Sequence, residues 1–137
     1  MKLRNWMTGL VLVIALCAGT LAAANKYGQP KSVLHVVTVL WNADSTPEQQ
    51  QAAIDGIKTM AAEIPGIKNV WIRKVAVQGR GPAGKDGKPG RPYSTVFAIE
   101  FEDQAAFERY GDHPAHRAWE KIYLPIREQS TTHQVSN

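Results

Sequence analysis

Two histidines and a tyrosine in the last third of the chain are the side chains best suited to acid–base chemistry. Tyr110, His113 and His116 stand close together in the stretch YGDHPAH. A histidine titrates near neutral pH and can accept a proton, while a tyrosine hydroxyl can donate a hydrogen bond to a developing enolate. In the alternative interpretation His113 and His116 cap and orient a helix start, with Tyr110 packed beneath. This structural role is favoured, because a histidine alone is weak evidence for catalysis.

Other reaction types have less support in the sequence. Asp112, His113, His116 and His35 could converge on a metal ion. However, His113 sits at the predicted break between two helices, and no clear third ligand follows in the sequence. The lone cysteine, Cys17, falls in a segment that we expect to be removed, which leaves no cysteine nucleophile. We therefore expect neither a metal nor a cofactor.

The first strand indicates a sheet that is covered on both faces. Val33–Trp41 is dense in β-branched and aromatic residues, and both of its alternating faces are mostly apolar. A strand that is wet on one side would alternate apolar with polar residues. A domain of this size has helices enough for one face only, so the other face predicts a partner.

The remaining elements follow from periodicity and from capping residues. Ser45-Thr46-Pro47-Glu48 is typical of a helix start, and Pro65-Gly66 ends that helix. The other predicted elements are strands over 67–78, 93–101 and 126–135, a short helix from Asp103 to Tyr110, and a second one opened by Pro114. The order β-α-β-β-α-β, with the second helix broken in two, predicts an α+β ferredoxin-like fold with a four-stranded antiparallel sheet. Its uncovered sheet face predicts a two-fold homodimer.

The N-terminal segment has the pattern of a secretory signal. Residues 1–24 combine a basic start, an apolar run of about a dozen residues and a small-residue ending. That run is shorter than the ~20 residues a membrane span needs. We expect cleavage after Ala24, a disordered leader over 25–32, a domain over 33–135 and a secreted or periplasmic product without stable membrane insertion.

A glycine- and proline-rich segment over 79–92 predicts a mobile hairpin loop. Gly81, Gly84, Gly87 and Gly90 recur at every third position, but four such triplets cannot form a collagen triple helix inside a domain. Six of the basic residues fall between Arg73 and Arg91. They lie mostly in this loop rather than on a rigid face with interleaved aromatic residues, so we expect no nucleic-acid partner.

Several short motifs resemble the stress-responsive α/β-barrel family, also called Dabb domains. They are HVV at 35–37, IPG at 64–66, FED at 101–103 and YGDHPAH at 110–116. The likeness extends over about 34–134, and the HPAH tetrapeptide is its most specific part. The resemblance implies a dimeric α+β barrel in which each protomer holds a cavity between sheet and helices. We expect this cavity to be lined by His35, Val37, Val39, Ile57, Thr95, Phe97 and Trp119.

The resemblance leaves two main hypotheses about function. Most members of the family have no established reaction, which favours an exported homodimer that binds a small apolar or aromatic molecule, or takes part in a stress response. The alternative is a cofactor-free enzyme, similar to the family's plant polyketide cyclases or to small monooxygenases of the same superfamily. The matching residues would be His116 as base and Tyr110 as hydrogen-bond donor, whereas Thr95 stands where the cyclases carry a further histidine. A third hypothesis is an interaction module that uses the basic loop.

Overall fold

The structure is a computed structural model that describes residues 28–74, 79–83 and 86–137. The predicted signal peptide and the start of the predicted leader, residues 1–27, lie outside the described residues. The same holds for 75–78, the end of the predicted second strand, and for 84–85 in the glycine-rich segment. Residues 28–32 form neither helix nor strand.

One antiparallel sheet and three helices make up the described part of the chain. The elements are β1 (Val33–Trp41), α1 (Pro47–Glu63), β2 (Ile67–Lys74), β3 (Thr95–Phe101), α2 (Gln104–Tyr110), α3 (Pro114–Tyr123) and β4 (Arg127–Val135), with a 3₁₀ turn over Leu124–Ile126. The strand order is β2-β3-β1-β4, and every neighbouring pair is antiparallel. The predicted α+β ferredoxin-like arrangement is thereby confirmed. The pairing of β2 with β3 has a register shift between Ile67 and Asn69.

The helix starts are fixed by side-chain caps, as their sequences indicate. Thr46 and Gln49 form a reciprocal capping box at α1, and the Asp103 carboxylate accepts from the Ala106 amide at 2.8 Å. At α3 the cap is His113, whose Nδ1 accepts a hydrogen bond from the Ala115 amide at 3.2 Å. His113 therefore has the helix-capping role of the structural interpretation, while the side chain of His116 is buried beneath the helix.

The three helices cover one face of the sheet, and the core lies in this layer. The buried apolar side chains come from alternate positions of β1 and β3 and from the inner faces of the helices; they include Val39, Ile57, Met60, Ile99, Phe101 and Trp119. Helices α1 and α3 approach closely because Gly56 lacks a side chain: a Cβ there would lie 2.9 Å from Trp119 Cδ1. The Trp119 indole N–H donates to the Ala53 carbonyl at 2.9 Å and so fixes α3 against α1.

Among the residues that the structure describes, the chain covers the opposite sheet face at one end only. Near Leu40, the glycine-rich segment folds back as a hairpin whose Gly81 amide donates to the Arg91 carbonyl at 2.9 Å. The Tyr93 hydroxyl is hydrogen-bonded to Thr131 Oγ1 at 2.9 Å on the same face. These contacts join the base of the glycine-rich segment to the sheet. Among the described residues, no helix is long and apolar enough to cross a membrane.

Candidate functional site

A cavity of about 220 Å³ lies between α3 and the β1–β4 side of the sheet. Its walls are mainly aromatic, and its polar groups come from β1, the end of α2, α3 and β4. The lining residues are His35, Val37, Phe97, Tyr110, His116, Trp119, Glu120, Tyr123, Leu124, Arg127, Ser130 and Thr132.

His116 stands in the first turn of α3 and is held there by the chain that precedes the helix. Its Nδ1 lies 3.0 Å from the Gly111 carbonyl oxygen. A carbonyl oxygen only accepts, so Nδ1 carries the proton in this contact, and the neutral ring keeps its lone pair on Nε2. Burial lowers the pKa of His116, although Glu120 and the Gly111 carbonyl act in the opposite direction. The lowered pKa favours the neutral ring, in which Nε2 can accept a proton.

Tyr110 packs directly against His116, with the two ring centroids 4.2 Å apart. Burial raises the pKa of the Tyr110 hydroxyl well above its usual range, and Glu120 adds to this effect. The hydroxyl consequently stays protonated and can act only as a neutral hydrogen-bond donor or acceptor. A proton acceptor and a hydrogen-bond donor thus stand side by side at one end of the cavity.

His35 completes this end of the cavity from the central strand β1. Its ring lies 5.8 Å from that of Tyr110 and 5.4 Å from that of Phe107, centroid to centroid. Burial lowers the pKa of His35, and the charge of His116 lowers it further. Two histidines that face one cavity therefore disfavour each other's protonation.

The other end of the cavity is formed where α3 passes into β4. The Trp119 and Tyr123 rings are stacked at 4.5 Å, and the Arg127 guanidinium lies 5.6 Å from the centre of the Tyr123 ring. Arg127 Nη1 donates to Ser130 Oγ at 3.0 Å. Burial raises the pKa of Tyr123, while the neighbouring Ser130 hydroxyl and the positive charge of Arg127 lower it. This end therefore offers a cation and two hydroxyl groups.

Three polar atoms are buried without a hydrogen-bond partner among the residues that the structure describes. They are His35 Nδ1, the Tyr123 hydroxyl and Arg127 Nε. All three belong to side chains that line the cavity. A buried polar group that lacks a partner costs about 1–3 kcal/mol, so such groups are rare and call for an explanation.

The structure brings six of the sequence-predicted site residues to this cavity. They are His35, Val37, Phe97, Tyr110, His116 and Trp119. Val39 and Ile57 instead lie in the solid core, with 0 % and 2 % of their surface exposed. Thr95 is also buried outside the cavity lining, where its hydroxyl accepts from the Trp41 indole N–H at 2.8 Å. Thr95 therefore has a structural role as the hydrogen-bond acceptor of Trp41.

Sequence reasoning missed the polar lining that comes from the end of α3 and from β4. Glu120 and Tyr123 follow His116 and Trp119 by one helical turn, which is a usable signal for the same face. Ser130 and Thr132 share a strand face by alternation, but the strand pairing that brings them to the cavity is remote in sequence. Arg127 lies at the first residue of β4, where no local pattern indicates its direction.

A metal centre has no basis in the described part of the chain. No group of three or more histidine, cysteine, aspartate or glutamate side chains there could hold an ion. His113 is engaged as a helix cap, and the Asp112 carboxylate accepts from Arg117 Nη2 at 2.8 Å. His133 is exposed on β4.

The family of the chain follows from comparison with known proteins. The model of the stress responsive A/B barrel domain, Dabb, matches residues 33–137. The chain belongs to this family. A search of curated proteins found no significant match.

Solved structures with this fold include proteins without a known role and enzymes. A dimeric ferredoxin-like protein of unknown function from Thermobifida fusca is 25% identical, with a TM-score of 0.62 over 82% of this chain and 97% of that chain. The hydroxynitrile lyase of Passiflora edulis is 18% identical, with a TM-score of 0.62 over 77% and 93% of the two chains. SnoaB, a cofactor-independent oxygenase from Streptomyces nogalater, is 16% identical, with a TM-score of 0.54 over 78% and 93%. These structures share the fold of this chain, and two of them are described as enzymes.

Proposed function

We propose that this Dabb domain is a homodimer that binds a small apolar or aromatic molecule in the cavity beneath α3. The observation that carries the proposal is the set of three buried, unpartnered polar atoms on the side chains that line this one cavity. Elsewhere in the described chain the buried side-chain polar atoms have partners. These atoms have almost no accessible surface, so a bound molecule would pair with them after a small shift of their side chains, and that pairing would offset the cost of leaving them unpaired.

The size and the walls of the cavity favour a small, flat molecule. Its volume of about 220 Å³ lies below the ~300–1,000 Å³ typical of pockets for drug-sized ligands. Phe97 meets Trp119 edge to face at 5.9 Å, and Trp119 stacks on Tyr123. Aromatic walls in these orientations offer both faces and edges to a ring.

A cavity-blocking variant tests the binding proposal. Thr132 lines the cavity from β4 but is exposed, so Thr132→Phe can obstruct the cavity without overfilling the core. Calorimetric titration with phenol and indole should show binding that Thr132→Phe weakens about tenfold or more, or 1.4 kcal/mol. Thr132→Ala is the matched control and should keep the affinity. Equal affinity in both variants, or no binding of any small aromatic molecule, would contradict the proposal.

The uncovered sheet face supports the homodimer. Leu34, Val36, Val96 and Ala98 form a partly exposed apolar strip, which Trp71, 46 % exposed, continues onto β2. A face of this kind is suited to a second copy in a two-fold arrangement. The Thermobifida fusca relative is described as dimeric.

Sedimentation velocity tests the dimer. A lysine at the centre of the strip, Val36→Lys, should convert the dimer into a monomer, because two lysines would be buried against each other. Leu124→Lys changes an exposed apolar residue on the helix side and should remain dimeric. A wild-type protein that sediments as a monomer would overturn this part of the proposal.

A cofactor-free proton-transfer enzyme is the second candidate, and one contact favours it. The bond between His116 Nδ1 and the Gly111 carbonyl fixes the tautomer that leaves Nε2 as a base, and Tyr110 lies against the same ring. In such a reaction Nε2 would take a proton from carbon, and the Tyr110 hydroxyl would stabilise the enolate oxygen by a hydrogen bond. The two residues need no added group for this step.

Exchange of carbon-bound hydrogen tests the second candidate without knowledge of the substrate. Deuterium loss from the methyl group of a deuterated aryl methyl ketone can be followed by NMR. The protein should accelerate the loss, and His116→Gln should abolish the acceleration. Tyr110→Phe should reduce it while preserving binding of the ketone. Loss of deuterium at the same rate with wild type and with His116→Gln would leave binding as the function.

We further propose that the protein is exported to the periplasm or outside the cell. The support is the basic start, the apolar run and the small-residue ending of residues 1–24. Sequencing of the protein from its native host should give an N-terminus at Asn25. An intact Met1 in the cytoplasmic fraction would contradict the proposal.

A further inference from the structure

Arg127 is a positive charge at the edge of the cavity that no acidic side chain in the described chain balances. No carboxylate of the described residues lies within 4.0 Å of its guanidinium. Among the described residues, Arg127 Nη1 donates to the Ser130 hydroxyl at 3.0 Å, and Nε is buried without a partner. A guanidinium has five N–H donors, so most of its capacity is unused.

Glu120, the acidic residue in the cavity wall, is already neutralised by another arginine. Arg117 Nη1 donates to its Oε2 at 2.8 Å, from the outer side of α3. Its other oxygen, Oε1, lies 3.9 Å from His116 Nδ1, toward the histidine end of the cavity. The two ends therefore differ in charge: the histidine end is balanced, and the end at Arg127 is cationic.

The groups around Arg127 are those that recognise a carboxylate. Tyr123 brings a buried hydroxyl without a partner, and Ser130 brings a second hydroxyl that already touches the guanidinium. Arginine N–H groups pair with the two oxygens of a carboxylate in a matched, planar geometry, and hydroxyl groups can donate to the same oxygens. The guanidinium is also steadied by the Tyr123 ring face, 5.6 Å away.

We infer that the cavity binds a small aromatic carboxylate, whose ring lies among Phe97, Trp119 and Tyr123 and whose carboxylate pairs with Arg127, Tyr123 and Ser130. This inference rests on the proposed function and adds the charge of the ligand to it. The cavity volume of about 220 Å³ limits the apolar part to about one ring. The histidine end then faces the ring edge opposite the carboxylate, where it would meet a hydroxyl or carbonyl substituent.

Two probes of the same shape test the charge preference. Benzoate and benzamide differ in the anionic group alone, so calorimetric titration of the full-length protein with each separates charge from shape. Benzoate should bind about tenfold or more tightly than benzamide. Its affinity should fall as salt is added, whereas that of benzamide should not.

The assignment to Arg127 is tested by three variants. Arg127→Met should weaken benzoate about tenfold or more and leave benzamide within about twofold. Arg127→Lys keeps the charge without the planar pairing, so its affinity for benzoate should lie between those of the wild type and Arg127→Met. Far-ultraviolet circular dichroism checks that each variant is folded. Arg109→Met removes an exposed arginine outside the cavity lining and should change neither affinity.

The outcomes separate this inference from the proposed function. If benzamide binds as tightly as benzoate, or if Arg127→Met weakens both equally, the cavity binds small molecules but the carboxylate assignment is wrong. If neither probe binds, and phenol and indole do not bind either, the proposed function itself fails.

Discussion

The layer between sheet and helices has two halves that are built on different rules. Beneath α1 the side chains are aliphatic and closely packed, as at Ile57, Met60 and Ile99, which expose 2 %, 1 % and 0 % of their surface. Beneath α3 the layer is aromatic, borders the cavity and holds all three unpartnered buried polar atoms of the described chain. The close packing of the first half stabilises the fold, whereas the unpartnered polar atoms of the second half lower the free energy of unfolding. That division is expected if the cavity beneath α3 is the binding site that we propose.

The largest expected effect is the loss of an aliphatic side chain from the half beneath α1. Ile57→Ala should lower the free energy of unfolding by about 2–5 kcal/mol, because the close packing there leaves a cavity that cannot collapse. Urea unfolding followed by circular dichroism measures it. Ile122→Ala, at a position that is 46 % exposed, is the control and should change stability by less than about 0.5 kcal/mol. A small loss in Ile57→Ala would mean that the two halves are equally loose.

A pair of tyrosine variants should give effects of opposite sign. The Tyr93 hydroxyl is hydrogen-bonded to Thr131, so Tyr93→Phe should lower the free energy of unfolding by about 1 kcal/mol. The Tyr123 hydroxyl is buried without a partner, so Tyr123→Phe should raise it by up to about 1 kcal/mol while weakening the binding of benzoate. The same urea titrations compare the two. Destabilisation by both variants would mean that Tyr123 is already satisfied.

The smallest effect is a pH dependence that originates in the cavity half. Burial lowers the pKa of His35 and of His116 from the ordinary value of 6.5, so the unfolded chain takes up protons at a higher pH than the folded protein. The free energy of unfolding is therefore highest above about pH 6.5 and falls as the pH drops below it. Asp112 and Glu120 oppose this effect at His116 and keep it modest.

Unfolding at about pH 7.5 and about pH 5.5 measures this dependence. His116→Gln should reduce the difference in stability between the two pH values. His133→Gln removes an exposed histidine and should leave the difference unchanged. An unchanged difference in His116→Gln would assign the acid sensitivity to other groups.

The sequence predicts the elements of this fold well because each carries a local signal. The caps at Thr46 and Asp103, the density of β-branched and aromatic residues in β1 and the partial alternation in β3 are all signals that extend over only a few residues. The cavity is predicted less completely, since its outline depends on where α3 crosses the sheet. Val39 lies on the same face of β1 as Val37 but under solid packing. Arg127 enters the site through the pairing of β4 with β1, which no short stretch of sequence encodes.

The base of the glycine-rich hairpin has a practical consequence for engineering. A Cβ at Gly90 would lie 2.0 Å from the Gly81 carbonyl oxygen, so any side chain there would act as a wedge between the two arms. At Gly87, by contrast, nothing lies within 4 Å of an added Cβ, and the only constraint on a side chain is the positive φ of +74° that the turn requires. The turn is exposed, which is where chains accept added residues most readily. A short epitope or a fluorophore-labelling site introduced between Asp86 and Lys88 should therefore leave the cavity beneath α3 unchanged.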